Sequence, residues 1–143
     1  MTRIHQLIAA TMLFLSAAES SLAGELAVLS AWSRSTPPVA KVGVVYFTLK
    51  NDTKKSDRLL KLSTPFAAKA EVHRTEVIDG IARMREVAVL HVEAGQTLEF
   101  QPGGLHVMLM GLKRPLVAGT AFDLELLFEV AGPRKVRVDV RNP

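Results

Sequence analysis

From Gly24 onward, apolar and polar residues alternate in short runs separated by turn residues, which is the pattern of half-buried β-strands. The clearest case lies near the C-terminus. Val136, Val138 and Val140 alternate there with Arg137, Asp139 and Arg141. Phe122, Leu124, Leu126 and Phe128 likewise share one face of Ala121–Val130. Upstream, the pattern predicts strands over Ala27–Trp32, Gly43–Lys50, Arg58–Leu62, Lys69–Val77, Ile81–Leu90, Thr97–Phe100 and Leu105–Met110. Pro37-Pro38, Asn51-Asp52, Asp79-Gly80, Pro102-Gly103-Gly104, Gly111 and Gly132-Pro133 punctuate them. No stretch reads as a long helix. Short strands at this spacing predict an all-β chain folded as a Greek-key β-sandwich or small barrel.

The first 23 residues follow a different rule. Leu7 to Ala18 is an almost unbroken apolar run, preceded by Arg3 and followed by Ser21-Leu22-Ala23. The run is shorter than the roughly 20 residues that cross a bilayer. Residues 1–23 therefore read as a secretory signal peptide cleaved after Ala23, and residues 24–143 as one exported domain. No Cys follows the apolar run, so no lipid anchor is expected there and the mature protein is not expected to be membrane-anchored.

Charge narrows the class further. The formal net charge is +4, with local excess at Lys113-Arg114 and at Arg134, Lys135, Arg137 and Arg141. Such patches steer docking onto acidic partners or are simply solvated strand faces. No basic stripe interleaved with aromatics is present, and nucleic-acid binding is not expected. The chain has no cysteine. That excludes thiolate nucleophiles, redox Cys pairs, zinc–cysteine sites and blue-copper sites, which need a Cys ligand.

The chemistry-bearing residues after Ala23 are His73, His91, His106, Met84, Met108 and Met110. Asp79-Gly80 between two strand-like runs signals a two-residue hairpin turn. Ile78 then pairs with Ile81, Thr75 with Met84 and His73 with Glu86. Side chains on one face recur every second residue, so His73 and Met84 are diagonal neighbours on one face, about 7–8 Å apart. On Leu105–Met110, His106, Met108 and Met110 share one face, while Val107 and Leu109 point to the other. Each His–Met pair is thus preorganised. Strand parity does not say whether the two pairs meet. His91 reads as peripheral, and Met110 as peripheral or a spare ligand.

Donor type selects the metal. Thioether sulfur is soft and neutral and favours Cu(I), and imidazole suits copper in either oxidation state. Two imidazoles and two thioethers carry no charge and lack the anionic donors usual for zinc. The candidate metal ligands are His73, Met84, His106 and Met108, with Cu(I) as the ion.

In spacing these four residues run His73, ten residues, Met84, twenty-one residues, His106, one residue, Met108. This resembles the signature of the PCu(A)C-type periplasmic copper chaperones. The surroundings are similar too: Val45-Tyr46-Phe47, Asn51, Asp57-Arg58-Leu59, Asp79-Gly80 and the stretch Pro102 to Leu112. The resemblance runs from about Ala31 to the C-terminus. It implies a cupredoxin-like fold, a periplasmic location and Cu(I) held jointly by the four residues. It also implies delivery to a copper-accepting protein, such as a cytochrome oxidase subunit with its binuclear copper centre, or another copper chaperone. A Met- and His-rich C-terminal tail like that of some members is not expected, since the sequence ends at Pro143.

Two other classes compete. An enzyme is not expected. A histidine-brace oxygenase needs a histidine at the mature N-terminus, where cleavage leaves Gly24, and no nucleophile elbow is present. The alternative is a β-sandwich interaction module of the cell envelope that binds no metal.

Overall fold

A computed structural model describes residues 24–142. The signal-peptide reading of residues 1–23 lies outside the described residues. Ten strands form: β1 (Leu26–Arg34), β2 (Val42–Asn51), β3 (Asp57–Ser63), β4 (Ala67–Ile78), β5 (Ile81–Glu86), β6 (Leu90–Val92), β7 (Thr97–Glu99), β8 (Leu105–Leu112), β9 (Ala121–Phe128) and β10 (Gly132–Arg141). Seven of them close a barrel in the order β4-β8-β2-β1-β10-β9-β3, and the β3–β4 pair at Leu62↔Ala70 returns the sheet to its start. All neighbours are antiparallel except β1 and β10, which run parallel. Outside the ring, β5 extends β4, β6 pairs with β3, and β7 pairs with the end of β2.

The predicted alternation places the core. Phe122, Leu124, Leu126 and Phe128 of β9 are buried, as are Val138 and Val140 of β10. They meet Val45, Phe47 and Leu49 of β2, Val72 of β4, and Leu105, Val107 and Leu109 of β8. Burying these aliphatic and aromatic side chains, at roughly 1.5–3 kcal/mol each, is the main force that holds a disulfide-free domain together.

Two expectations are corrected. Ile81–Leu90 is not one strand. It divides into β5, fully exposed at the sheet edge, and β6, which crosses to pair with β3 through Leu90↔Leu59. The apolar run Val87-Ala88-Val89-Leu90 contains no turn residue that would mark the break. The nine strand-like runs of the sequence accordingly become ten strands. The first strand also runs longer than Ala27–Trp32 and carries a bulge between Leu29 and Trp32, with Ser30 at φ 54°. The extra residue changes the parity, so that Leu26 and then Ala31 and Ser33 are buried. Trp32 consequently faces outward and packs on Tyr46 with ring centroids 4.9 Å apart.

Polar clamps fix the loop between β2 and β3 and the turn between β9 and β10. Asn51 is fully buried and donates through Nδ2 to the carbonyls of Lys55 and Glu93, while its Oδ1 accepts from Thr53. Asp57 is also buried and accepts from the backbone N–H groups of Arg58, Val130 and Ala131 at 2.7–2.8 Å. Burial pushes this carboxyl up, but the converging N–H groups outweigh it and hold the group below the usual carboxylate range. Because the folded-state value is depressed, the stabilisation is fully present above the ordinary carboxylate range. It is lost as the pH falls through that range toward the folded-state value. Asp57→Ala, which strands three N–H groups, is expected to cost about 2–3 kcal/mol at neutral pH in urea unfolding, and the cost should shrink in acid.

Candidate metal centre

The site lies on the outer face of three adjacent strands, β5, β4 and β8. The inner face sets their phase. Val72 of β4 is Cα partner of Val107 of β8, and both are buried in the core. With those residues inward, Lys69, Glu71 and His73 of β4 and His106, Met108 and Met110 of β8 point outward, whereas beyond Gly111 the paired Ala67 and Leu112 turn into the core. One step along the same ladder, His73 is Cα partner of His106. Their rings lie 5.9 Å apart, centroid to centroid, and tilted by 38°. This cross-strand pair joins the two His–Met pairs that parity alone left separate.

The β4–β5 hairpin has the register that its Asp79-Gly80 turn predicts. Ile78 pairs with Ile81, Thr75 with Met84 and His73 with Glu86. Both turn residues have positive φ, 52° at Asp79 and 75° at Gly80, as a type I′ turn requires. Met84 is therefore diagonal to His73 on the outer face and is 52% exposed. Met108 is partly buried, two residues from His106 on the same face, with Glu71 and Val44 as its neighbours across the strands. Met110 continues that row, between Lys69 and Val42 and one step farther from His106. His91 sits exposed on β6 opposite Arg58, away from these strands.

The Pro102-Gly103-Gly104 turn shapes the other edge. Gly103 has φ 82°, a conformation glycine adopts without strain. The Gly104 carbonyl accepts from the Thr75 N–H at 3.1 Å and faces His106 Nδ1 at 3.0 Å. One carbonyl thus ties β4 to the ring of His106. A carbonyl only accepts, so Nδ1 carries the hydrogen and Nε2 keeps its lone pair. His106 is 5% exposed, so this ring is held rather than mobile.

His73 is the mirror case. Its Nε2 lies 3.0 Å from Glu71 Oε2, and its Nδ1 is a buried side-chain nitrogen with no hydrogen-bond partner. A buried polar atom left unpaired costs about 1–3 kcal/mol, and an imidazole lone pair in that state suits a metal ion. Among the described residues, no three His, Cys, Asp or Glu side chains converge as a metal-binding group. Two imidazoles here need donors of another kind, and Met84 and Met108 share their face. The residues present fit a soft monovalent ion.

Glu71 and Lys69 are the neighbours that sequence reasoning missed. They pair with each other, and the Lys69 ammonium, followed by the His73 ring, holds the Glu71 carboxyl below the usual range. The signal was available, since residues 69, 71 and 73 share one face of a strand by the same parity that placed Met84.

A family model described as LpqE-like matches residues 26–140. A Leifsonia xyli subsp. xyli protein named as a candidate lipoprotein is 38% identical over 77 residues, covering 53% of this chain and 46% of that protein. An uncharacterised Rickettsia prowazekii protein is 33% identical over 115 residues, covering 78% of this chain and 64% of that protein. The chain spans less than two thirds of the length of both relatives. Among solved structures, the copper(I) form of DR1885 from Deinococcus radiodurans is 31% identical with a TM-score of 0.70, covering 87% of this chain and 83% of that one. The copper-bound PCuAC domain of PmoF2 has a TM-score of 0.71 at 21% identity, covering 85% of this chain and 96% of that one, a likeness of fold.

The two histidines are expected to respond differently in metal-free protein. His73→Leu removes the unpartnered nitrogen together with the Nε2 contact to Glu71, two effects of opposite sign, and should leave the unfolding free energy within about 1 kcal/mol of the parent. His106→Ala removes a satisfied, buried ring and should cost about 2–3 kcal/mol. Urea denaturation without metal checks both.

Proposed function

Since the chain belongs to the LpqE-like, PCu(A)C-type family, we propose that it is a Cu(I) carrier that works outside the cytoplasm and holds the ion between His73, Met84, His106 and Met108. The observation that carries this reading is the β4–β8 pairing of His73 with His106, with the unpartnered His73 nitrogen on the face that bears both thioethers. The copper(I) form of DR1885, at 31% identity, supports the choice of ion. A carrier rather than an enzyme fits a site built of neutral donors, with no activated nucleophile beside it.

Release follows from the same donors. Thioethers are weaker Cu(I) ligands than thiolates, so an acceptor richer in sulfur anions takes the ion down a free-energy gradient. Met84, exposed on the edge ribbon, is the ligand an incoming partner reaches first. His106, buried and hydrogen-bonded, is the ligand that stays in place. We assign the acceptor as a cuproprotein of the cell envelope, with the binuclear copper centre of cytochrome oxidase as the specific target. The N-terminal apolar segment supports export as the route to that compartment.

Met84→Ala and His106→Ala are each expected to weaken Cu(I) binding about tenfold or more in competition with a colorimetric Cu(I) chelator. Cu(I) should also raise the melting temperature of the parent protein, because it binds only the folded state. Equal affinities in parent and both variants, with no thermal shift, would remove the site and favour a metal-free interaction module.

A further inference from the structure

We infer that Glu71 is a positioning residue of the copper site: it fixes the tautomer of His73 so that Nδ1, and not Nε2, is the nitrogen offered to the ion. The inference rests on the four-ligand reading above and adds to it a residue and a nitrogen assignment.

The Glu71 carboxylate, paired through its other oxygen with the Lys69 ammonium, accepts hydrogen bonds and does not donate them. The His73 nitrogen 3.0 Å from Oε2 must then be the N–H. A neutral imidazole carries one hydrogen, so placing it on Nε2 leaves a lone pair on Nδ1. That Nδ1 is buried and has no protein partner. His106 shows the opposite arrangement, with Nδ1 engaged by the Gly104 carbonyl and Nε2 left as the donor atom. Each ring thus has one nitrogen occupied by a fixed oxygen, and the two occupied nitrogens differ.

Placement supports the role. Glu71 and His73 share the outer face of β4, and Glu71 is the Cα partner of Met108. Its carboxylate is mostly buried, with 13% of the side chain exposed, and Lys69 pairs with the other oxygen. The chain Lys69–Glu71–His73 therefore runs along one strand face and ends at the candidate ligand. A carboxylate behind a metal-binding imidazole fixes the ring and raises its basicity, and losing such a partner typically lowers affinity 10–100-fold. Glu71 also sets a negative charge beside a ligand set that is itself neutral.

The test is nitrogen NMR on the 15N-labelled protein, without and with Cu(I), for the parent, Glu71→Ala and Glu71→Gln. In the metal-free parent, His73 should show the Nε2–H tautomer, and Cu(I) should shift Nδ1 of His73 and Nε2 of His106. Glu71→Ala should convert His73 to a mixture of tautomers and weaken Cu(I) binding about 10–100-fold in chelator competition. Glu71→Gln retains an acceptor oxygen and should keep most of both properties. An unchanged His73 tautomer in Glu71→Ala overturns the inference, whatever the affinity does. Coordination of the parent through Nε2 of His73 overturns it too, while leaving the four-ligand reading intact. If Cu(I) shifts neither histidine although the metal-free tautomer depends on Glu71, the four-ligand reading is what fails.

Discussion

The antiparallel ladder between β4 and β8 is the constraint on which the rest of the molecule depends. It belongs to the barrel wall, because β4 also closes the ring through β3. Its inner face contributes Val72 and Val107 to the core. Its outer face carries His73 opposite His106, with Glu71 opposite Met108. The two faces cannot be adjusted separately. A slip of one residue in this ladder would turn the valines outward and the histidines into the core. The apolar core therefore fixes the geometry of the candidate metal face, and no disulfide is needed to hold it.

Division of labour among the four side chains follows from where the ladder leaves them. His106 is deep, and its ring is held by the carbonyl that also anchors Thr75. His73 is held by Glu71. Met108 lies partly covered in the wall, and Met84 stands on the exposed ribbon that β5 adds beyond the barrel. Exposure thus increases from β8 to β5. A site with fixed imidazoles at its base and a flexible thioether at its rim can bind an ion and still admit a second protein. Methionine's unbranched, polarisable side chain suits that rim position.

Much of this was legible in the sequence, because it is local. The period of two located the strands, and Asp79-Gly80 set the β4–β5 register through a single turn. The same period put His106 and Met108 on one face. The meeting of the two halves was not legible from parity, because the pairing of β4 with β8 joins segments separated by the whole of β5, β6 and β7. That register is chosen by core packing on the reverse side. The division of Ile81–Leu90 was hidden for a related reason. The chain leaves β5 after Glu86 to reach β3, a tertiary requirement that no Gly or Pro announces. The β1 bulge was hidden because Ser30 adopts a positive φ with no glycine to mark it. Glu71 was missed for a different reason. Carboxylates on exposed strand faces are common, and only its contact with His73 distinguishes this one.

X-ray absorption at the copper edge of the Cu(I)-loaded protein tests the central claim most directly. Imidazole nitrogen and thioether sulfur should both scatter in the first shell, with the sulfur contribution reduced in Met84→Ala and in Met108→Ala. A first shell of nitrogen and oxygen alone, or a sulfur contribution unchanged in both variants, would contradict the account.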